Sequence, residues 1–228
     1  MKTSIIIPNW NTLPYLKKCV DSIKKNTKNI EIIIVDNGSK EKGTKEYIKK
    51  VSDKYIFNDT NLGFSKANNQ GAKISSGNFL CFMNSDIIVG KDWLTEMIKV
   101  FDNPMCGSVG PLANPRFRRY GENQVIRYTQ YKGQYKEDTI VPILIGFCLL
   151  IKKSLFKKIG GFSEKFISGN YEDNYFCYKI RKEGYDLWIS SKSKVDHPNP
   201  SRSFDINKLD YSKSLEVNKR IFEELING

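Results

Sequence analysis

A chain of 228 residues, 39% of them hydrophobic, has the material for one sizeable core and is not a disordered polypeptide. Thirty-seven Lys and Arg against 25 Asp and Glu leave a formal charge of +12, which favours anionic partners such as phosphates, nucleotides or acidic lipid headgroups; with no arginine-rich stripe or nucleic-acid motif, nucleic acid is not among the expected partners. Cys19, Cys81, Cys106, Cys148 and Cys177 are scattered among apolar residues and read as reduced thiols of a cytoplasmic protein, while no apolar run has the length of a signal peptide or a bilayer span, so a soluble or peripheral protein is expected.

Ile5 to Pro8 and Ile30 to Val35 are β-branched runs ending in polar residues, and between them Leu13, Leu16, Val20 and Ile23 recur at helical spacing, which predicts a β-α-β unit. Asn11 or Thr12 is placed to cap that helix, and Pro14 is tolerated in its first turn. A polar helix over Thr44 to Val51, a short strand over Tyr55 to Phe57 and a helix with Phe64, Ala67, Gly71 and Ile74 on one face follow. The five apolar residues Phe79 to Met83 predict a strand buried on both faces, which delivers Asn84-Ser85-Asp86 either as a plain turn or as a carboxylate at the open end of a sheet. Trp93 to Phe101 reads as an amphipathic helix and Ser108 to Leu112 as a further strand.

The region from Ala113 to Asp138 is basic with interleaved aromatics (Arg116, Phe117, Arg118, Arg119, Tyr120, Arg127, Tyr128, Tyr131, Tyr135), as a functional loop or inserted hairpin would be, or an ordinary solvated surface. An apolar segment, Val141 to Ile151, precedes the Gly160-Gly161-Phe162 break. A helix is expected from Glu172, with Phe176 and Ile180 inward and Gly184 ending it, then a strand over Leu187 to Ser190 and a basic amphipathic helix over Asn207 to Ile226. Non-alternating apolar strands separated by helices predict an α/β fold with a doubly wound, mostly parallel sheet. No G-x-G-x-x-G follows the early strands and no G-x-x-x-x-G-K-[ST] occurs, which argues against a dinucleotide dehydrogenase or a P-loop enzyme. In such a fold the strand endings Pro8-Asn9-Trp10-Asn11, Asp36-Asn37-Gly38-Ser39, Asn61-Leu62-Gly63 and Asn84-Ser85-Asp86 meet at one edge.

With those endings, Phe64 to Gly71, Gly160-Gly161-Phe162, Glu172-Asp173 and Arg181 to Tyr185, nearly the whole chain resembles the family-2 glycosyltransferases of the GT-A fold, in particular their rhamnosyltransferase-like branch. The resemblance implies a single GT-A domain over 1–228, with a nucleotide-sugar half (1–111), an acceptor and catalytic half (112–203) and a C-terminal helix (204–228). It implies that the backbone of Pro8, Asn9, Trp10 and Asn11 and the carboxylate of Asp36 hold base and ribose. Lys66 would approach the diphosphate, and Asn61, Asn69, Asn84 and Ser85 complete the donor set. A carboxylate suits a ring imide and ribose hydroxyls because both are donors.

Asp86 matches the last aspartate of the family's D-x-D-like motif and is expected to bind Mn²⁺ or Mg²⁺ on the diphosphate; Asn84 replaces the first, so free metal is expected to bind weakly. Asp173 is the implied general base of an inverting transfer and Glu172 the alternative. The chain departs from many relatives by carrying Tyr175 where they have a second aspartate. His197, the sole histidine, is implied at the metal or diphosphate, while Ser201 to Ser203, with Arg202, read as an ordinary loop or as a segment closing over the phosphates. The function implied is transfer of a sugar from a UDP- or dTDP-sugar, rhamnose included, to a glycan or lipid-linked saccharide, in the cytoplasm or at the inner face of the membrane. A catalytically inactive sugar-nucleotide or glycan-binding module of the same fold is the alternative, and a sugar-nucleotide pyrophosphorylase is disfavoured by the missing Gly-rich, Arg-containing opening loop.

Overall fold

The computed structural model describes residues 2–113, 117–120, 124–127, 130, 135–167, 169–197 and 211–228. Along the chain run β1 (Thr3–Asn9), α1 (Leu13–Asn26), β2 (Ile30–Asp36), α2 (Thr44–Val51), β3 (Lys54–Phe57), α3 (Gly63–Ile74), β4 (Phe79–Met83), β5 (Ile88–Val89) and α4 (Trp93–Lys99). They are followed by β6 (Cys106–Leu112), β7 (Phe117–Tyr120), β8 (Gln124–Arg127), β9 (Thr139–Val141), β10 (Cys148–Lys152), α5 (Lys153–Lys158), α6 (Glu172–Lys182), β11 (Asp186–Asp196) and α7 (Tyr211–Asn227).

Strand side chains alternate between two separate cores, which is why the strands read as unbroken apolar runs. Ile5 and Ile7 of β1, Ile32 and Ile34 of β2, and Phe79, Cys81 and Met83 of β4 enter a core closed by α1 and α4; Ile6, Ile33, Leu80 and Phe82 enter the other, closed by α3, α5 and α6. Each of these fully buried side chains contributes about 1.5–3 kcal/mol relative to exposure. In the second core Phe82, Phe156, Phe162 and Phe176 interlock, with ring centroids 4.9 Å apart for Phe82–Phe162 and 4.3 Å for Phe162–Phe176. That cluster fixes α6 against the sheet one helical turn from its N-terminal carboxylates. Gly71 lets α3 approach β1, since a Cβ there would collide with Ile6.

The nine-stranded sheet has the order β3-β2-β1-β4-β10-β6-β11-β5, with β9 also paired to β11. Six strands (β3, β2, β1, β4, β6 and β11) run one way and β10, β5 and β9 the other. The chain leaves β1 through β2 to β3 and returns to β4 on the opposite side of β1, so the order reverses between β1 and β4, where open α/β sheets leave a crevice.

Two segments resolve further, and one expectation needs correction. The apolar segment Val141 to Ile151 is not one element: Pro142, which has no amide to donate, ends β9, and a turn through Gly146 separates it from β10. Thr12 sits at the start of α1 but makes no side-chain cap; Glu41 instead accepts the Leu13 amide at 2.9 Å. The strand predicted over Leu187 to Ser190 continues to Asp196, and Gly184, with φ +83°, ends the helix before it. In the basic region β7 and β8 form an antiparallel hairpin, while Arg116, Tyr128 and Tyr131 lie outside the described residues, as do 198–210 with Ser201 to Ser203. No helix among the described residues is long and apolar enough to cross a membrane.

Candidate functional site

Parallel pairing places Asn9 opposite Asp36 at the ends of β1 and β2. The Asn9 amide donates to Asp36 Oδ1 at 2.8 Å and to Ser39 Oγ at 3.2 Å, and Asp36 also accepts Ser39 Oγ at 2.6 Å and the Ser39 amide at 3.1 Å. Ser39 Oγ accepts the Asn11 amide at 2.8 Å, and Asn11 Oδ1 accepts the Lys40 amide at 2.8 Å. Gly38, at φ +75°, allows this turn: a Cβ there would lie 2.7 Å from the Asp59 carbonyl oxygen. Asn37 ties it to α3 by donating to the Gly63 carbonyl at 3.2 Å. Asn61 caps that junction by accepting the Gly63 amide at 2.9 Å, and Lys66 stands exposed in the first turn of α3.

Asp36 is 0% exposed. Its oxygens organise the rim, which the half-buried Pro8, Trp10 and Asn11 border. Asn69 is bonded on both sides of its carboxamide. Its amide nitrogen donates to the Phe162 carbonyl and to Glu164, both at 2.9 Å, and its oxygen accepts the Phe162 amide at 3.0 Å, so it clamps α3 to the Gly160-Gly161-Phe162 turn.

Thr12 links this rim to the end of β4. Its hydroxyl donates to Asn9 Oδ1 at 2.8 Å, which leaves Ser85 Oγ as the donor in their 2.8 Å contact. Asp86 follows, 7% exposed, with Oδ1 3.4 Å from Nε2 of His197, itself 6% exposed. Among the described residues His197 Nε2 has no hydrogen-bond partner, and its ring lies against Phe147, centroids 5.1 Å apart. No third His, Cys, Asp or Glu joins this pair among the described residues.

Glu172 and Asp173 open α6, where Phe176 and Ile180, four and eight positions on from Glu172, are buried in the core. Glu172 shares their face and is buried, with Oε2 unpartnered among the described residues. Burial, and then the neighbouring Asp173 charge, push its carboxyl up to about 8. Burial also raises Asp173, but two amides oppose the shift by favouring its charged form: Gly146 donates to Oδ2 and Asn174 to Oδ1, each at 2.9 Å.

Gly146 and Phe147 join the two groups of carboxylates. While the Gly146 amide holds Asp173, the Phe147 carbonyl accepts the Asn84 amide at 2.9 Å and the Phe147 ring covers His197. A Cβ on Gly146 would lie 3.2 Å from Asp173 Cβ. Thr12 is picked out in the sequence only as a helix cap, and Gly146 and Phe147 not at all. The glycine interrupting the Val141 to Ile151 run was the available signal for the last two; Thr12 carried none beyond helix capping.

Residues 4–160 match the family Glycosyl transferase family 2. An uncharacterized glycosyltransferase of Haemophilus influenzae is 27% identical over 93% of this chain and 78% of its own length. An uncharacterized protein, y4gI, of Sinorhizobium fredii is 30% identical over 89% of this chain, which spans only 25% of that relative. Among solved structures, GalNAc-T7 with UDP, GalNAc and Mn²⁺ superposes with a TM-score of 0.71 at 21% identity, over 86% of this chain and 44% of that one. The mannosyltransferase PcManGT of Pyrobaculum calidifontis, in complex with GDP-Man and Mn²⁺, gives 0.70 at 18%, over 90% and 59%. These similarities bear out the expected GT-A fold, and the match over 4–160 makes this chain a member of glycosyl transferase family 2.

Proposed function

We propose that this chain is an inverting, divalent-metal-assisted glycosyltransferase that moves a sugar from a nucleoside diphosphate donor to a hydroxyl of a glycan or lipid-linked saccharide. The observation that carries the reading is the Gly146-Phe147 bridge, whose adjacent residues bind Asp173 on one side and Asn84 and His197 on the other. It supports a division of labour in which Asp173 serves the nucleophile and Asp86 the leaving group, as displacement at an anomeric carbon requires.

Trp10, Asn11 and the Asp36 carboxylate would hold base and ribose, and the exposed Lys66 would approach the diphosphate. Asp173 takes the proton from the acceptor hydroxyl, because its charge is held by two amides while buried Glu172 stays protonated at neutral pH. An unpartnered, buried imidazole nitrogen beside a carboxylate fits a cation, so Asp86 and His197 are the residues that would hold Mn²⁺ or Mg²⁺. When bound, that ion supplies positive charge that stabilises the departing diphosphate. The two similar solved structures hold Mn²⁺ with UDP or GDP-Man, which supports the class of donor. A rhamnosyl donor is the finer reading that the sequence resemblance favours. The basic hairpin region and the loop before Glu172 are the surfaces for the acceptor. Five free, buried cysteines suit a cytoplasmic site of action, and the +12 charge suits the inner face of a membrane.

The test is nucleoside diphosphate release from UDP-, GDP- and dTDP-sugars with Mn²⁺ or Mg²⁺. Release is expected to require the metal, to vanish in Asp86→Ala, and to fall ~100- to 10,000-fold in Asp173→Asn with donor binding retained. Full turnover in Asp173→Asn would overturn the choice of base, and donor binding without turnover across all donors and acceptors would favour the inactive binding module. With only two protein ligands, Mn²⁺ is expected to bind weakly without nucleotide; tight binding to the free protein by calorimetry counts against this arrangement.

A further inference from the structure

The residues that deliver the α6 carboxylates adopt an unusual backbone. Gly169, Asn170 and Tyr171 are consecutive and all left-handed, with φ of +84°, +77° and +66°, and two of the three are not glycine. L residues avoid this region, so the conformation persists only where surrounding groups impose it. The groups that impose it come from α7.

Asn218 is 0% exposed. Its Oδ1 accepts the Ile167 amide at 2.9 Å, and its amide nitrogen reaches the carbonyls of Ile167 and Gly169 at 2.7 Å and of Asn170 at 2.9 Å. Ser214, one turn earlier and 5% exposed, lies 3.0 Å from the Gly169 carbonyl and accepts the Asn170 side-chain amide at 3.3 Å. One turn later the Phe222 ring packs on Tyr171, centroids 5.5 Å apart. Positions 214, 218 and 222 thus form one stripe that grips the loop by its backbone. Only a carboxamide serves at 218, because the loop presents both a donor and acceptors to the same side chain.

We propose that Asn218 and Ser214 are positioning residues, which hold the left-handed loop so that Asp173 meets the acceptor hydroxyl. This rests on the reading of Asp173 as the base, and it extends beyond the segment of family match, which ends at residue 160. Asn218→Asp keeps the shape and the acceptor for Ile167 but loses the donors; Ser214→Ala and Ser214→Thr remove and retain the hydroxyl.

Hydrogen exchange on the full chain and nucleoside diphosphate release are measured together. In Asn218→Asp, the peptides over 166–176 are expected to exchange at least ~10-fold faster while those over β1 and β4 stay protected, and binding of UDP, GDP or dTDP with Mn²⁺ stays within about twofold. Turnover per donor-binding site is expected to fall ~10-fold at unchanged donor KM, partly in Ser214→Ala and not in Ser214→Thr. A loop that stays protected, or exchange that rises throughout the chain with donor-binding sites lost in step with activity, would overturn the proposal. Asp173→Asn separates the two readings: full turnover there, with the loop still opened by Asn218→Asp, removes the base assignment and leaves the clamp of the loop by α7 in place.

Discussion

The substitution Glu172→Gln tests whether the site is held at a cost to stability. Free in an unfolded chain this carboxyl has its ordinary value of 4.5; in the folded protein, burial and the Asp173 charge raise it to about 8. Between those values the folded state holds a proton that the unfolded state has released, so rising pH favours unfolding, by about 1.4 kcal/mol per pH unit. This stabilising contribution is fully present below pH 4.5, declines from there, and is gone once the pH passes 8. A glutamine at this position cannot titrate, so the stability of the variant relative to the native chain should rise by roughly 4 kcal/mol between pH 5 and pH 8. At pH 5 the variant should be the less stable by about 1–3 kcal/mol, because a buried amide replaces a carboxyl whose Oε2 already lacks a partner. The two stability curves should therefore cross. Urea unfolding of both proteins at several pH values measures this directly, and the melting temperatures should change their separation by about 10 °C over that range. A difference that is constant with pH would refute the buried, protonated state of Glu172 and with it the physical basis for choosing Asp173 as base.

Thr12→Val preserves shape but leaves Asn9 Oδ1 without its hydroxyl donor, which should lower stability by about 1–3 kcal/mol in urea unfolding and weaken UDP binding; unchanged values for both would show that the link between β1 and β4 is dispensable. Gly146→Ala sets a methyl against Asp173, and turnover should fall at least ~10-fold while donor affinity, measured by calorimetry, holds. The five cysteines should resist a thiol reagent in the native state and all react in denaturant, because they are buried and burial pushes the thiols of Cys106 and Cys177 up to about 12. Fast labelling of any one in the folded protein would contradict that burial.

Much of the frame follows from local order. Ile5 to Pro8, Ile30 to Val35 and Phe79 to Met83 have one stable arrangement, as strands buried on both faces, and the polar residues after them must then emerge at a common edge. Phe176 and Ile180 likewise predict the buried face of α6, and so the start of that helix at Glu172. These readings need only side-chain size, periodicity and turn chemistry, which are properties of neighbours in the chain.

What tertiary structure alone decided are the choices between partners far apart in sequence. The sequence around Asp36 does not show that Asn9 donates to it, nor does the sequence around Asn69 show that its amide donates to the Phe162 carbonyl. No local pattern distinguishes a hydrogen bond to a ligand from one to a residue 93 positions away. The insertion of β10 antiparallel between β4 and β6 is of the same kind: only that pairing brings Gly146 to Asp173 and Phe147 to Asn84 and His197. The sequence by itself thus determined which residue types reach the site edge, because hydrophobic burial acts along each element. Which of them face outward, and which are taken up in holding the others, was decided by the folded chain, where each buried donor and acceptor must find its partner.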